Sequence, residues 1–200
     1  LNTNFNVEKL AFAELKKVMD SYFPISDETW QGMKNICQFS EIEKDAILYR
    51  VGELPQSFSF VYSGLFRLFV VDDKGHEYNK IFFDERTFPG SMTALLTSSP
   101  SQYTIESLEP SVIITINFKG FRKLLLEQDD LKLFHINYLE KNWLLAKDAR
   151  EVEIVQEDAS QRYERFLLEH SAISSRIPQY HIASHLGITP TQLSRIRKKK

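Results

Sequence analysis

The sequence predicts an α+β fold in three parts: a β jelly roll, one long helix and a C-terminal helix-turn-helix. Three observations carry this. Between Glu41 and Phe118 short apolar runs recur about every 8 to 12 residues with turns between them. From Leu131 to Val155 no Gly or Pro interrupts a helical pattern. The closing stretch QYHIASHLGITPTQLSRIRKKK carries two helix signals joined by a glycine turn. With 42% hydrophobic and 12% aromatic residues, 200 residues suffice for a packed core.

Residues 5 to 39 read as short helices that cover the β region. Phe12, Leu15, Lys16 and Met19 progress at helical spacing, Pro24 breaks the run, and Ser26-Asp27-Glu28 caps a second segment carrying Trp30, Met33 and Ile36. The β texture follows in AILYRVG, FSFVYSG, LFRLFVVDDKG, NKIFFD and PSVIITINF, with Asp73-Lys74-Gly75 as a hairpin turn. TALLTSSPSQ interrupts the strands as a short helix plus loop, the place where a jelly roll could hold a ligand.

Past Phe118 the helical period returns. FKGFRKLLLEQ is a short helix, and Asp129-Asp130 put negative charge at the start of the long one, as its dipole favours. On that helix Leu131, Phe134, Tyr138, Leu145, Ala149 and Val152 form one apolar stripe. Ile136, Leu139, Trp143 and Ala146 form a second, about 120° away. Two faces need two partners. One lies on the β domain, and the other is a candidate coiled-coil seam to a second copy in which Asn142 sets the register. The dimer-helix candidates are Leu131, Phe134, Tyr138, Asn142, Leu145, Ala149 and Val152, and burial of both faces within one chain is the alternative. Asp158 to His170, with Ala159, Tyr163, Phe166 and Leu167, is the scaffold helix for the helix-turn-helix. The expected boundaries are 1–128 for the β domain with its short helices, 129–156 for the long helix and 157–200 for the terminal domain.

Within the terminal motif Ile182, Ala183 and Leu186 fall at helical spacing, and Gly187 supplies the left-handed position that closes the helix. Thr189 is a good N-cap and Pro190 suits the first helical position. Leu193 and Ile196 then share an inward face, so Thr191, Ser194, Arg195 and Lys198 point outward with Gln192 and Lys199 on a flank. Together with Thr189 these are the candidate DNA contacts. Arg offers bidentate donation to guanine, Gln to adenine, and the lysines meet phosphate. The plain alternative is a solvated basic tail.

Charge placement fits the first reading. The net charge is −2, yet residues 176 to 200 hold six Lys/Arg and no Asp/Glu. A basic terminus on an acidic remainder is what phosphate neutralisation at one place requires. The single cysteine, Cys37, excludes a disulfide, a cysteine-based zinc site or a cysteine-ligated cluster within one chain, and is expected as a core thiol. No run approaches the roughly 18 apolar residues of a membrane span, and the first residues lack a signal-peptide pattern. The expected location is cytoplasmic, with no membrane partner.

The order of parts, with Tyr49-Arg50-Val51-Gly52, Val61-Tyr62-Ser63-Gly64 followed by Arg67, Asp73-Lys74-Gly75-His76-Glu77, Phe88-Pro89-Gly90 and the closing LGITPTQLSRIRK, resembles the cyclic-AMP receptor protein and fumarate-nitrate regulator (Crp/Fnr) family. The resemblance implies a bacterial homodimer that binds pseudo-palindromic double-stranded DNA, with RNA polymerase as a further partner. It also implies an effector pocket in a cyclic-nucleotide-binding-like roll, here at Gly90, Ser91, Met92, Ser101, Gln102 and Tyr103.

Family members that bind cyclic nucleotides carry a glutamate after the glycine and, later, an arginine-serine pair. This chain has Ser91-Met92 and Ser101-Gln102 in those places. A cyclic phosphate loses its bidentate partner, so cyclic AMP is not expected and no cofactor is predicted. The pocket takes another small molecule, or is filled by side chains such as Met92, Leu95 and Tyr103. The oxygen-sensing branch needs several cysteines, and haem would have to use His76. The recognition helix also departs from the best-known members, which open with arginine and glutamate where this chain has Pro190 and Thr191. Arg195 is kept, but the base preference is not carried over.

Two other classes compete. An enzyme on a jelly roll needs clustered ligands, and the β region holds one histidine, His76; no nucleophile elbow, phosphate loop or His-Glu-x-x-His is present, so catalysis is not expected. A degenerate interaction module, its helix-turn-helix serving as a protein contact, would bind without salt sensitivity.

Overall fold

The computed structural model describes residues 2–145 and 157–198. Helix α1 (Asn2–Tyr22) places Ala11, Leu15, Val18 and Met19 in the core, and Pro24 separates it from α2 (Asp27–Asn35). Ser26 caps α2 by accepting from the Thr29 N–H at 3.2 Å.

Seven strands follow: β1 (Cys37–Ile42), β2 (Ile47–Tyr49), β3 (Ser57–Ser63), β4 (Phe66–Val71), β5 (Glu77–Phe83), β6 (Thr104–Ser107) and β7 (Ser111–Asn117). They form two antiparallel sheets, ordered β1-β7-β3 and β2-β6-β4-β5. Alternation along each strand divides the side chains between two cores. Val61, Phe66, Leu68, Ile105 and Ile113 fill the space between the sheets, while Phe58, Phe60, Ile114 and Ile116 face the helices outside the first sheet. The β3–β4 connection needs Gly64: its φ is +118°, and a Cβ there would lie 2.8 Å or less from Ser111 atoms.

Two strands were not among the predicted ones. Cys37 to Phe39 were read as the end of the helical region, and Thr104–Ser107 lay between the predicted connection TALLTSSPSQ and the predicted strand PSVIITINF. Both are short and half polar, and cross-strand pairing sets their conformation: β1 along β7, β6 between β2 and β4. Cys37 is half-buried on β1, and burial pushes its thiol pKa up to about 12, leaving it unreactive.

Helix α3 (Met92–Thr97) sits in the β5–β6 connection, where the sequence predicted a short helix. Helix α4 (Phe118–Glu127) is capped by Asn117, whose side chain accepts from Gly120 N–H at 2.8 Å. Helix α5 (Asp129–Leu139) packs Leu131 and Phe134 into the core with α1. Asp130 does more than complement the helix dipole. Its carboxylate accepts from the Ser26 N–H at 2.8 Å and the Thr29 hydroxyl at 2.7 Å, tying the start of α5 to the start of α2. Burial alone would raise its pKa, but these hydrogen bonds outweigh it and hold the group below its ordinary value.

The long helix is not regular. A π-helical turn (Glu140–Leu144) follows α5, and the Leu145 N–H donates to the Glu140 carbonyl five residues back. This corrects the reading of one apolar stripe as a dimer seam. Leu131 and Phe134 are buried in the chain's own core and Tyr138 packs against it, so they are already covered. Asn142 donates to Tyr22 Oη and to the Tyr138 carbonyl, both at 2.9 Å, and is an internal anchor. The exposed apolar side chains are Leu133, Ile136, Trp143, Leu144 and Leu145. Ala146, Ala149 and Val152 lie outside the described residues.

Helices α6 (Ala159–Glu169), α7 (Gln179–His185) and α8 (Pro190–Lys198) complete the fold. Tyr163, Phe166, Ile173, Ile177, Ile182, Leu186 and Leu193 form a third core, and Leu65, Phe82 and Leu108 of the β domain belong to it. The sandwich is therefore covered by helices on both outer faces. Among the described residues no helix is long and apolar enough to cross a membrane.

Candidate nucleic-acid interface and effector region

Local hydrogen bonds build the helix-turn-helix as its sequence requires. Helix α7 ends in a Schellman motif: Ile188 N–H donates to Ala183 O at 3.0 Å and Gly187 N–H to Ser184 O at 3.2 Å, with Gly187 at φ +66°. Thr189 and Gln192 then cap α8 reciprocally, Gln192 N–H to Thr189 Oγ1 at 3.2 Å and Thr189 N–H to Gln192 Oε1 at 2.8 Å. Leu193 is buried and Ile196 half-buried, so α8 turns Thr191, Ser194, Arg195 and Lys198 to solvent. Thr189 and Gln192 are exposed too, but their side chains are engaged in the cap, leaving the Gln192 amide N–H₂ as its outward donor. Arg197 is exposed beside them, a further cation that the predicted set of contacts did not include. Lys199 lies outside the described residues.

The opposite side of the motif is gripped by the β domain. Strand β5 is the edge of its sheet, and α7 covers it: Asn79 N–H donates to Ser184 Oγ at 3.0 Å and Ser184 Oγ to Glu77 O at 2.6 Å. His185 Nδ1 lies 3.1 Å from Asn79 O. Behind them Arg67 is buried, donating to Glu106 at 2.6 Å and to Asn79 Oδ1 at 3.2 Å, and pairing with Glu77. Arg67 Nη1 and Asn79 Nδ2 converge on His181 Nδ1 at 3.3 and 3.1 Å, so that nitrogen acts as acceptor and carries no proton. Burial and then the Arg67 charge lower the His181 pKa to about 4.

A second clamp stands beside it. Arg176 meets Glu85 through two hydrogen bonds of 3.0 and 2.9 Å and also contacts Glu109, and these carboxylates raise its pKa. For Glu85 burial would raise the pKa, but Arg176 and the Gly64 N–H outweigh it. None of Arg67, Asn79, His181 or Arg176 was a predicted site residue, although Arg67 was among the residues of the family resemblance. An arginine inside the apolar run LFRLFVV was the one available signal, because a buried guanidinium demands carboxylates.

The six candidate pocket residues do not converge on one opening. Ser91 and Ser101 are buried and spend their hydroxyls on each other at 2.9 Å, and Ser101 also donates to Tyr103 O at 2.8 Å. Tyr103 packs on the inter-sheet core and accepts from Lys80 Nζ at 3.1 Å. Gln102 is exposed, and the Gly90 backbone lies against Phe58. Met92 and Leu95 face the helix-covered core rather than the roll interior. His76 is exposed beside Asp72, at 3.0 Å.

Comparisons with known proteins agree with this architecture. Residues 39–128 match the family of cyclic nucleotide-binding domains. Among solved structures, the c-di-GMP responsive global regulator CLP of Xanthomonas campestris superposes with a TM-score of 0.68 at 16% identity, over 87% of this chain and 91% of that one. FixK2 of Bradyrhizobium japonicum gives 0.67 at 15% identity, over 82% and 84%. DNR of Pseudomonas aeruginosa gives 0.55 at 21% identity, over 92% and 85%. No curated protein matches by sequence. Residues 39–128 are thus a cyclic-nucleotide-binding-type domain, and the chain as a whole has the fold of the Crp/Fnr regulators.

Proposed function

We propose that this protein is a cytoplasmic, dimeric, sequence-specific DNA-binding transcription regulator whose β domain answers to an effector other than a cyclic nucleotide, or to none. The observation that carries the reading is the two-sided mounting of the helix-turn-helix. Helix α7 is gripped by β5, while the Thr191, Ser194, Arg195 and Lys198 face of α8 stays open to solvent. That face holds donors suited to base edges and cations suited to phosphate. The exposed stripe Leu133, Ile136 and Leu144 supplies an apolar surface for a second copy. Two-fold symmetry then sets half-sites about one helical turn, roughly 34 Å, apart. RNA polymerase is the further partner that a regulator of this fold would meet.

Selection of bound sequences from random duplex DNA at two salt concentrations tests the reading. The expected result is an enriched inverted repeat whose retention falls steeply as salt rises, because several phosphates are contacted. Retention without enrichment, insensitive to salt, would instead support a protein-interaction module.

A further inference from the structure

All three methionines of the sequence line one cavity. Met19, Met33 and Met92 meet Phe58, Tyr138 and Trp143 on the outer side of the first sheet, under α1, α2 and α5. The position is outside the sandwich, distinct from the roll interior that Val61, Phe66 and Ile105 fill. The wall is aromatic, thioether and aliphatic, with polar atoms from His135, Tyr138 and the Trp143 indole nitrogen and no charged group among the described residues that line it. Such a lining repacks readily around different apolar shapes and offers nothing to a phosphate.

The second observation is the π turn at the mouth of the cavity. On a regular α-helix Tyr138 and Trp143, five residues apart, would point about 140° away from each other. The wider turn brings both onto the wall of the same cavity. Asn142 holds the same turn by donating to the Tyr138 carbonyl and Tyr22 Oη. Trp143 is 50% exposed, so of the cavity's large side chains it is the one with open solvent to move into. The cavity itself holds about 40 Å³. A benzene-sized guest needs roughly 150 Å³, so a ring fits only if a wall side chain leaves.

We propose that this cavity is the effector site, that it takes an uncharged, ring-bearing small molecule of about the size of toluene or indole, and that the guest enters by displacing Trp143. This rests on the regulator reading above, since an effector site has meaning only if something is regulated. With Trp143 out, the Asn142 hydrogen bonds alone hold the π turn. Its return to α-helix would rotate Leu144 and Leu145 by about 100° relative to Leu133 and Ile136, which re-aims the exposed apolar stripe. The cavity thus connects a guest to the geometry of the pair without touching α8.

The test uses the full chain carrying ¹³C-methyl methionine, with toluene and indole as probes. The expected result is saturable shifts of the Met19, Met33 and Met92 signals together, with a tighter dissociation constant in Trp143→Ala. If the closed form outweighs the open one by about nine to one, the gain is about tenfold. Met92→Phe, which adds bulk to the wall, should weaken binding while leaving the circular dichroism unchanged.

DNA affinity for the selected repeat is measured alongside. Methionine signals that stay still to the solubility limit of both probes would overturn the site while leaving a DNA-binding regulator intact. Saturable shifts with unchanged DNA affinity would overturn the effector role. Saturable shifts in a chain that selects no DNA would sink the regulator reading and keep the cavity as a binding site.

Discussion

Arg195 stands on the open face of α8, and its guanidinium can form two parallel hydrogen bonds with a guanine edge. Replacing it with Ala should cost roughly 1 to 3 kcal/mol of specific DNA binding and relax preference at one base pair in each half-site. Repeating the sequence selection with Arg195→Ala checks this, and an unchanged preference would move the readout to Gln192 or to DNA shape. His181 makes a pH prediction. Its folded pKa is about 4 against an unfolded value near 6.5, so the unfolded chain binds the extra proton first as the medium acidifies. The stability contributed by neutral His181 is therefore complete above about pH 6.5 and declines as pH falls toward 4. Denaturant titrations between those values should show the decline, and His181→Gln should flatten it; an equal slope in the variant would place the proton elsewhere. The two residues differ in legibility. Arg195 was readable because a 100° step from Leu193 fixes its direction, whereas His181 sits on α7 with no sequence neighbour to reveal Arg67 and Asn79, which arrive from strands a hundred residues earlier.

Among the elements, the helix-turn-helix was the most legible because its signals are local. Thr189, Pro190 and Gly187 each act within four residues, and each performs the predicted role. Gly187 is the sharpest case, since φ +66° suits glycine and burdens any residue with a Cβ. Gly187→Ala should lower stability by about 1 kcal/mol, read as a shift in thermal midpoint, with no steric contribution because nothing lies near the added methyl. A larger loss would mean that the turn itself had rearranged. The π turn was not legible. LFHINYLEKNWLLA has no Gly or Pro, and its periodicity admits a regular helix equally well. What selects the wider turn is tertiary: Tyr22 Oη from α1 receives Asn142. The strands β1 and β6 were missed for a related reason, since their partners in the sheets set their conformation.

At the scale of the whole molecule, the order of parts was legible, but the folding of the terminal helices back onto the β domain was not. That contact depends on Leu65, Phe82 and Leu108, which sit on a sheet face that alternation alone would assign to any apolar partner. Phe82 is central, with ring contacts to Phe166 at 6.1 Å and His185 at 5.3 Å. Phe82→Ala should cost about 3 to 5 kcal/mol, near the usual figure for a buried phenylalanine. The loss should fall on the docking of α6 to α8, so limited proteolysis should release the terminal helices before the sandwich unfolds. Simultaneous loss of both would make the two parts one cooperative unit.

The covering of β5 by α7 has a consequence for the life of the chain before it is fully folded. Until Ser184 and His185 arrive, the Glu77 carbonyl and both backbone groups of Asn79 lie on an open strand edge, the kind of surface that recruits strands from neighbouring molecules. The helices that would read DNA are made after the β domain on the ribosome, so the nascent β domain waits with that edge bare. The arrival of α7 is what ends that exposure to self-association.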